Sequence, residues 1–199
     1  MVVCYCLRED IFRRVNNEKV AVLLADGFEE IEALTVVDLL RRSMIYVDTV
    51  SITEEYMVHG AHGIGVQTED TFEEVNFAEF DMVILPGGQP GTTNLSEHEG
   101  VKRVIQAFCE EGKYVGAICA APGILGNMGL LKGKRATCYP SVEEQLQGAV
   151  IVKAPVVQDG NIITSRGMGT AIDFGLKLVE ILFDKAEATA LAETIIYLK

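Results

Sequence analysis

The sequence predicts an α/β fold, a three-layer αβα sandwich on a mostly parallel central sheet. Two observations carry the prediction. Residues 19–25, Lys-Val-Ala-Val-Leu-Leu-Ala, are apolar after the lysine and of strand length, as expected of a strand covered on both faces by helices. Beyond them, strand-like and helix-like patterns alternate to the C terminus, which is the pattern of βαβ units.

The elements follow in order. Asp26-Gly27 turns the chain out of the first strand, and a helix over residues 29–42 begins with carboxylates and ends with Arg41 and Arg42, as the helix dipole favours. A strand over 45–51 precedes a Gly-rich turn region at 60–65, and a third strand spans 82–85. Pro86-Gly87-Gly88-Gln89-Pro90-Gly91 reads as a loop, followed by a helix over 97–111. A strand over 114–118 leads into Cys119 and a helix to about residue 127. Two β-rich runs flank Asp159-Gly160-Asn161, so 156–164 reads as a hairpin. Helices over 171–183 and 186–198 close the chain. Residues 1–18 have weak periodicity and read as an N-terminal extension, leaving 19–199 as a single domain without repeats or linkers.

Composition narrows the function. The chain has 199 residues and a formal net charge of −12. Its one short basic cluster, Lys132, Lys134 and Arg135, reads as a solvated turn, which excludes nucleic acid as a main partner. No stretch reaches the roughly 18 apolar residues of a membrane span. Charged residues from Arg8 to Arg14 stand where a signal peptide would be apolar. A cytoplasmic location with reduced thiols is expected. The five cysteines, Cys4, Cys6, Cys109, Cys119 and Cys138, have neither disulfide nor zinc spacing, so neither a metal nor a cofactor is expected.

Ala117-Ile118-Cys119-Ala120-Ala121-Pro122-Gly123 carries the strongest chemical signal. An apolar strand runs into one reactive side chain and then a helix, with small residues on both sides that permit a tight turn. The arrangement parallels a nucleophile elbow with Cys in place of Ser. It also falls at the carboxyl end of a strand, where α/β sites lie. A helix N-terminus there is expected to lower the thiol pKa. Free cysteines are often buried and inert, and that reading suits Cys109 and Cys138. Position and small neighbours favour reactivity at Cys119.

A thiol hydrolase usually pairs its cysteine with histidine, yet His59, His62 and His98 all precede Cys119. A proton carrier is therefore sought among Glu29-Glu30-Ile31-Glu32. Dipole complementation explains Glu29 and Glu30. Glu32 lies among Ile31, Ala33 and Leu34, where burial would raise its pKa and let it hand a proton to sulfur. The glycines of Pro86-Gly87-Gly88 can offer backbone N–H groups to an oxyanion, with Ala120 N–H as a second donor.

Together these segments, with residues 164–170 (Thr-Ser-Arg-Gly-Met-Gly-Thr), resemble the ThiJ/PfpI superfamily, in the branch of the parkinsonism-associated protein deglycase and its bacterial relatives. The likeness runs from about Lys19 to the C terminus. It implies a flavodoxin-like, class I glutamine amidotransferase-like sandwich and a homodimer. It casts Cys119 as nucleophile, Glu32 as its protonated partner, and Gly88 and Ala120 as the oxyanion donors. The implied activity is a glutathione-independent glyoxalase or deglycase acting on small aldehydes or early glycation adducts. Oxidation sensing through a Cys119 sulfinate is the alternative; protease and thiamine-biosynthesis names are older ones for the superfamily. Peptidase activity is disfavoured because Ala120 stands where the protease-like branch has His. Tyr139 replaces the histidine that some relatives place near the site, and His62 replaces an arginine and is expected to approach a partner's site. Met168 replaces a proline after Arg166-Gly167, which is a packing change.

Overall fold

The computed structural model describes residues 17–197. In chain order it forms β1 (Lys19–Leu24), α1 (Glu30–Arg42), β2 (Tyr46–Ser51), β3 (Met57–His59), β4 (Gly65–Gln67), β5 (Asp70–Thr71) and β6 (Met82–Leu85). Then come α2 (Gly91–Glu97), α3 (Glu99–Glu111), β7 (Tyr114–Ile118), α4 (Pro122–Asn127), β8 (Arg135–Ala136) and β9 (Val150–Ile151). A hairpin of β10 (Val156–Asp159) and β11 (Ile162–Ser165), then α5 (Ala171–Leu182) and α6 (Lys185–Thr194), complete the fold.

The central sheet has the order β10-β11-β7-β6-β1-β2-β5, parallel throughout except for β10. Its alternating side chains feed two cores. Val20, Val22 and Leu24 of β1 pack with Val36 and Leu40 of α1 and Phe174 and Leu178 of α5. Ala21 and Leu23 join Leu95 of α2, Ile105 and Phe108 of α3, and Leu125 of α4 on the opposite face. Helices on both faces make the three layers, and explain why β1 is apolar at consecutive positions.

The chain steps from β1 to β2 on one side, and later enters β6 on the other. The switch point between β1 and β6 opens a crevice at the carboxyl ends of the strands, into which the turns after β1, β6 and β7 all project.

Five elements differ from the sequence reading. The helix expected over 97–111 starts at Glu99, because His98 is extended and its Nδ1 accepts the Val101 N–H at 3.1 Å, capping α3. The preceding α2 was read partly as loop. Its sequence, GTTNLSE, is poor in helix formers, and buried Leu95 anchors it instead. The helix after Cys119 begins only at Pro122, with proline in its first turn. The region read as a turn at 60–65 is the tip of an antiparallel β3–β4 hairpin held by buried Val58. The last expected helix ends earlier, at Thr194, and residue 198 lies outside the described residues, as do residues 1–16 of the extension with Cys4 and Cys6. Among the described residues no helix is long and apolar enough to cross a membrane.

Candidate active site

Cys119 stands between β7 and α4 with φ +64°, in the left-handed region that costs a non-glycine residue about 1–2 kcal/mol. Two backbone hydrogen bonds hold it there. Its N–H donates to Ser165 O at 3.0 Å, and its carbonyl accepts the Tyr139 N–H at 2.8 Å. The Ser165 segment is itself knitted by Thr170, whose Oγ1 accepts the N–H groups of Arg166 and Gly167, both at 3.2 Å. Strain of this kind over-determined by surrounding bonds is typical of reactive positions. The side chain is half-buried against the α1/α5 core.

Glu32 comes to the same crevice from the first turn of α1, with 1% of its surface exposed. Glu29 is the N-cap, its Oε2 accepting the Glu32 N–H at 2.8 Å. The Glu32 Oε2 accepts the Gly87 N–H at 2.9 Å, the Met168 N–H is a further donor, and the carboxyl hydrogen-bonds the Cys119 sulfur. Gly87 has no room for a side chain: a Cβ there would lie 2.4 Å from Glu32 Oε2 and 2.6 Å from Cys119 Cβ.

Burial pushes Glu32 up to about 7, with the Glu29 charge adding to it and hydrogen bonds from Cys119, Gly87 and Met168 opposing. Cys119 moves the opposite way from the sequence expectation. Burial, then the Glu32 and Glu29 carboxylates, push its thiol up to about 12, and the Ala120 N–H is the group that lowers it. The dipole argument fails because α4 starts three residues later and the sulfur faces carboxylates. Between about 7 and about 12 the pair as a whole keeps one proton and one negative charge.

The remaining expected residues separate into those at the crevice and those outside it. Gly87 N–H is committed to Glu32, so it is not an oxyanion donor. Gly88 N–H has no acceptor among the described residues, and φ +94° at Gly88 turns the loop against Glu29. Tyr139 flanks the mouth: a methyl placed on Gly167 would be 3.5 Å from its ring and 3.7 Å from both Cys119 Sγ and Glu32 Oε1. Arg166 acts on the buried Cys138 thiol, which burial and Glu143 push up to about 11 and the guanidinium draws down.

Within its own chain His62 holds the Glu30 carboxylate. Its N–H and Nδ1 both meet the Glu30 carboxylate at 2.7 Å, and that bond raises the His62 pKa. Burial works against ionisation of Glu30, but the His62 ring and the N–H groups of Glu30, His62 and Ile64 hold it below the usual carboxylate range. His98 caps α3, and His59 Nδ1 lies 4.0 Å from Asp26. The histidines are thus engaged elsewhere.

Among the described residues, the donor atoms spaced closely enough for a cation are those of Glu29, Glu30 and His62, within 4.8 Å of one another; the His62–Glu30 hydrogen bond accounts for that grouping. Two hollows lie away from the sulfur. One of about 530 Å³ is lined by β10, α5 and α6 residues such as Val156, Leu176 and Ala188. Another of about 430 Å³ lies between Asp26, Ile52 and His98. Backbone strain, a buried carboxyl and N–H donors coincide instead at the crevice of Cys119.

Residues missed in the sequence are Thr170, Ser165 and the specific place of Glu29. The capping spacing of Glu29 and Glu32 was a legible signal; the Ser165 and Thr170 contacts are long-range or turn-specific and left none.

Residues 18–181 match the DJ-1/PfpI family. The chain belongs to that family. It is 35% identical to a deglycase of Pyrococcus abyssi over 82% of this chain and 99% of that one. It is 33% identical to a glutathione-independent glyoxalase DJ-1 of Schizosaccharomyces pombe, over 89% and 97%. Against the DJ-1 homologs B and A of Arabidopsis thaliana, at 37% and 36% identity, it spans 40% and 45% of their length. The fold matches a cysteine-to-alanine mutant of a DJ-1 superfamily protein from Salmonella typhimurium, TM-score 0.87 at 40% identity, covering 92% of this chain and 100% of that one. It also matches an oxidized DJ-1 of Toxoplasma gondii, TM-score 0.88 at 32% identity, covering 92% and 100%.

Proposed function

We propose that this protein is a cysteine-dependent, cofactor-free glyoxalase or deglycase acting on α-oxoaldehydes such as methylglyoxal, or on their early glycation adducts. The observation that carries the reading is Cys119, held at φ +64° at a strand end and hydrogen-bonded to the buried Glu32 carboxyl. The sulfur adds to the aldehyde carbon, forming an S–C bond, and Glu32 delivers its proton to the carbonyl oxygen. A neutral hemithioacetal results. The Glu32 carboxylate then removes the C1 proton and returns it at C2, while the C1 hydroxyl proton passes to the C2 oxygen, converting the adduct to the thioester of a 2-hydroxy acid. Water hydrolyses the thioester, releasing a 2-hydroxy acid and the thiol. In this reading the Gly88 N–H, without an acceptor among the described residues, and the Ala120 N–H, released from the sulfur once the S–C bond has formed, stabilise the oxygen that becomes negative as water attacks the thioester. No redox partner enters, since C1 is oxidised as C2 is reduced. The names of the Pyrococcus and Schizosaccharomyces relatives support the same class.

The test is lactate formation from methylglyoxal without glutathione, for wild type against Cys119→Ser. Lactate from wild type alone supports the reading. None from wild type overturns it and favours the second one, redox sensing. For sensing, the half-buried thiol with a carboxyl donor and the likeness to an oxidized DJ-1 speak; a gain of two oxygens at Cys119 after mild peroxide is its mass-spectrometric mark.

We also propose that the protein works as a homodimer. Exposed Ile31 lies between Glu30 and Glu32 in the chain, and exposed Ile64 and Met168 are tied to that acidic turn through their backbone N–H groups, Ile64 to Glu30 and Met168 to Glu32.

A further inference from the structure

We propose that Glu29 acts as a charge filter on this site, so that the carbonyl compounds reaching Cys119 are uncharged or cationic and those carrying a carboxylate are turned away. The proposal deepens the reading of Cys119 as nucleophile and rests on it for its substrate consequence, though the filter itself is a property of the crevice.

Glu29 is fixed beside the reacting atoms at both ends. Its backbone N–H donates to Gly87 O at 2.9 Å, and its Oε2 accepts the Glu32 N–H at 2.8 Å. Gly87 in turn abuts both Glu32 and the Cys119 sulfur, which a Cβ would approach to 3.2 Å. The Gly88 backbone, a donor for the developing oxyanion, leans directly on the Glu29 backbone. The Glu29 side chain is 13% exposed, so water screens it only partly.

This charge is only partly offset. Among the described residues no Lys or Arg pairs with Glu29, Glu30 or Glu32. The imidazole of His62 is spent on Glu30 at 2.7 Å and stands 4.0 Å from Glu29. The N-terminus of α1 contributes about +0.5 of a charge, set against the Glu29 carboxylate and the one negative charge of the Cys119–Glu32 pair. Glu29 also helps push the Cys119 thiol up; a field that resists a second negative charge on sulfur resists one arriving on a substrate. A neutral aldehyde escapes the penalty because Glu32 protonates its oxygen as the S–C bond forms.

Two nearly isosteric probe pairs separate the filter from the activity. Alkylation of Cys119 by iodoacetamide and by iodoacetate, followed by peptide mass mapping, needs no turnover. With rates normalised to N-acetylcysteine, iodoacetamide is expected to be favoured about tenfold, the order expected of one carboxylate on the order of 10 Å from the arriving charge at an effective dielectric of about 20. Glu29→Gln, whose amide oxygen can still accept the Glu32 N–H, should narrow the preference several-fold. Molar salt should narrow it in wild type, where the screening length falls to about 3 Å, so the test stands even if the variant folds poorly. A normalised ratio near one in wild type, or one that neither salt nor Glu29→Gln moves, overturns the proposal. In turnover, kcat/KM for the neutral α-oxoaldehyde 4,5-dioxopentanamide should exceed that for 4,5-dioxopentanoate, which carries a carboxylate on the same skeleton, by a similar factor. Absence of turnover with the amide and with glyoxal, together with a skewed alkylation ratio, would sink the enzyme reading and leave the filter standing; equal turnover of the amide and the carboxylate would sink the filter.

Discussion

Glu32 is the residue whose environment makes the sharpest demand. Its carboxyl binds a proton at about 7 in the fold and at about 4.3 in an unfolded chain. Between those values the folded state holds more protons than the unfolded one, so stability is greatest at and below the lower value. It is lost as pH rises through the upper one and then levels. Glu32→Gln has no such slope and keeps an oxygen for the Gly87 N–H. Its stability relative to wild type is expected to rise by roughly 1–3 kcal/mol between about pH 4.5 and 8, measured by urea unfolding at each pH. A difference that stays flat with pH would mean that Glu32 is not held protonated by burial. Turnover should fall in the same variant by about 10²-fold or more, since an amide cannot carry the proton.

At the scale of elements, the site is a junction of three turns, and Gly87 is where they touch. It joins the end of β6 to Glu32 of α1 and Cys119 after β7. Gly87→Ala must push at least one of them aside. We expect a loss of about 1–3 kcal/mol in stability and about 10²-fold in turnover, because small misplacements of reacting groups are that costly. Wild-type turnover in Gly87→Ala would show that the three turns tolerate separation. Much of this scale was legible in advance. The double apolar run of β1, the acidic start and basic end of α1, and the small residues around Cys119 each report a local rule. What stayed hidden depends on distant partners. The GTTNLSE of α2 folds as helix because Leu95 is buried, not from propensity. The Gly87 N–H looked free for an oxyanion until Glu32, 55 positions away, was seen to take it. The thiol pKa was misjudged for the same reason: the dipole is a local feature, whereas burial and the facing carboxylates come from the assembled fold.

For the whole molecule the question is why apolar side chains stand exposed around a charged crevice. Ile31 is 50% exposed, Ile64 53% and Met168 57%, and they belong to three separate elements: α1, the β3–β4 hairpin and the turn before α5. Scattered apolar residues are ordinary on a surface, but convergence on one face marks an interface. Their backbone N–H groups are tied to Glu30 and Glu32 in the cases of Ile64 and Met168, so the face is held in shape by the acidic turn itself. A second copy is the occupant that the proposed homodimer supplies, and a two-fold contact would set the same face against itself. The net charge of −12 opposes association at long range, so burial must outweigh repulsion and added salt should tighten the dimer. Sedimentation equilibrium is expected to give a dimer for wild type. The double variant Ile31→Glu, Ile64→Glu, which places four like charges across the contact, should sediment as a monomer with unchanged far-UV circular dichroism. A monomeric wild type at all salt concentrations would overturn the homodimer, and a dimeric double variant would move the interface to another face.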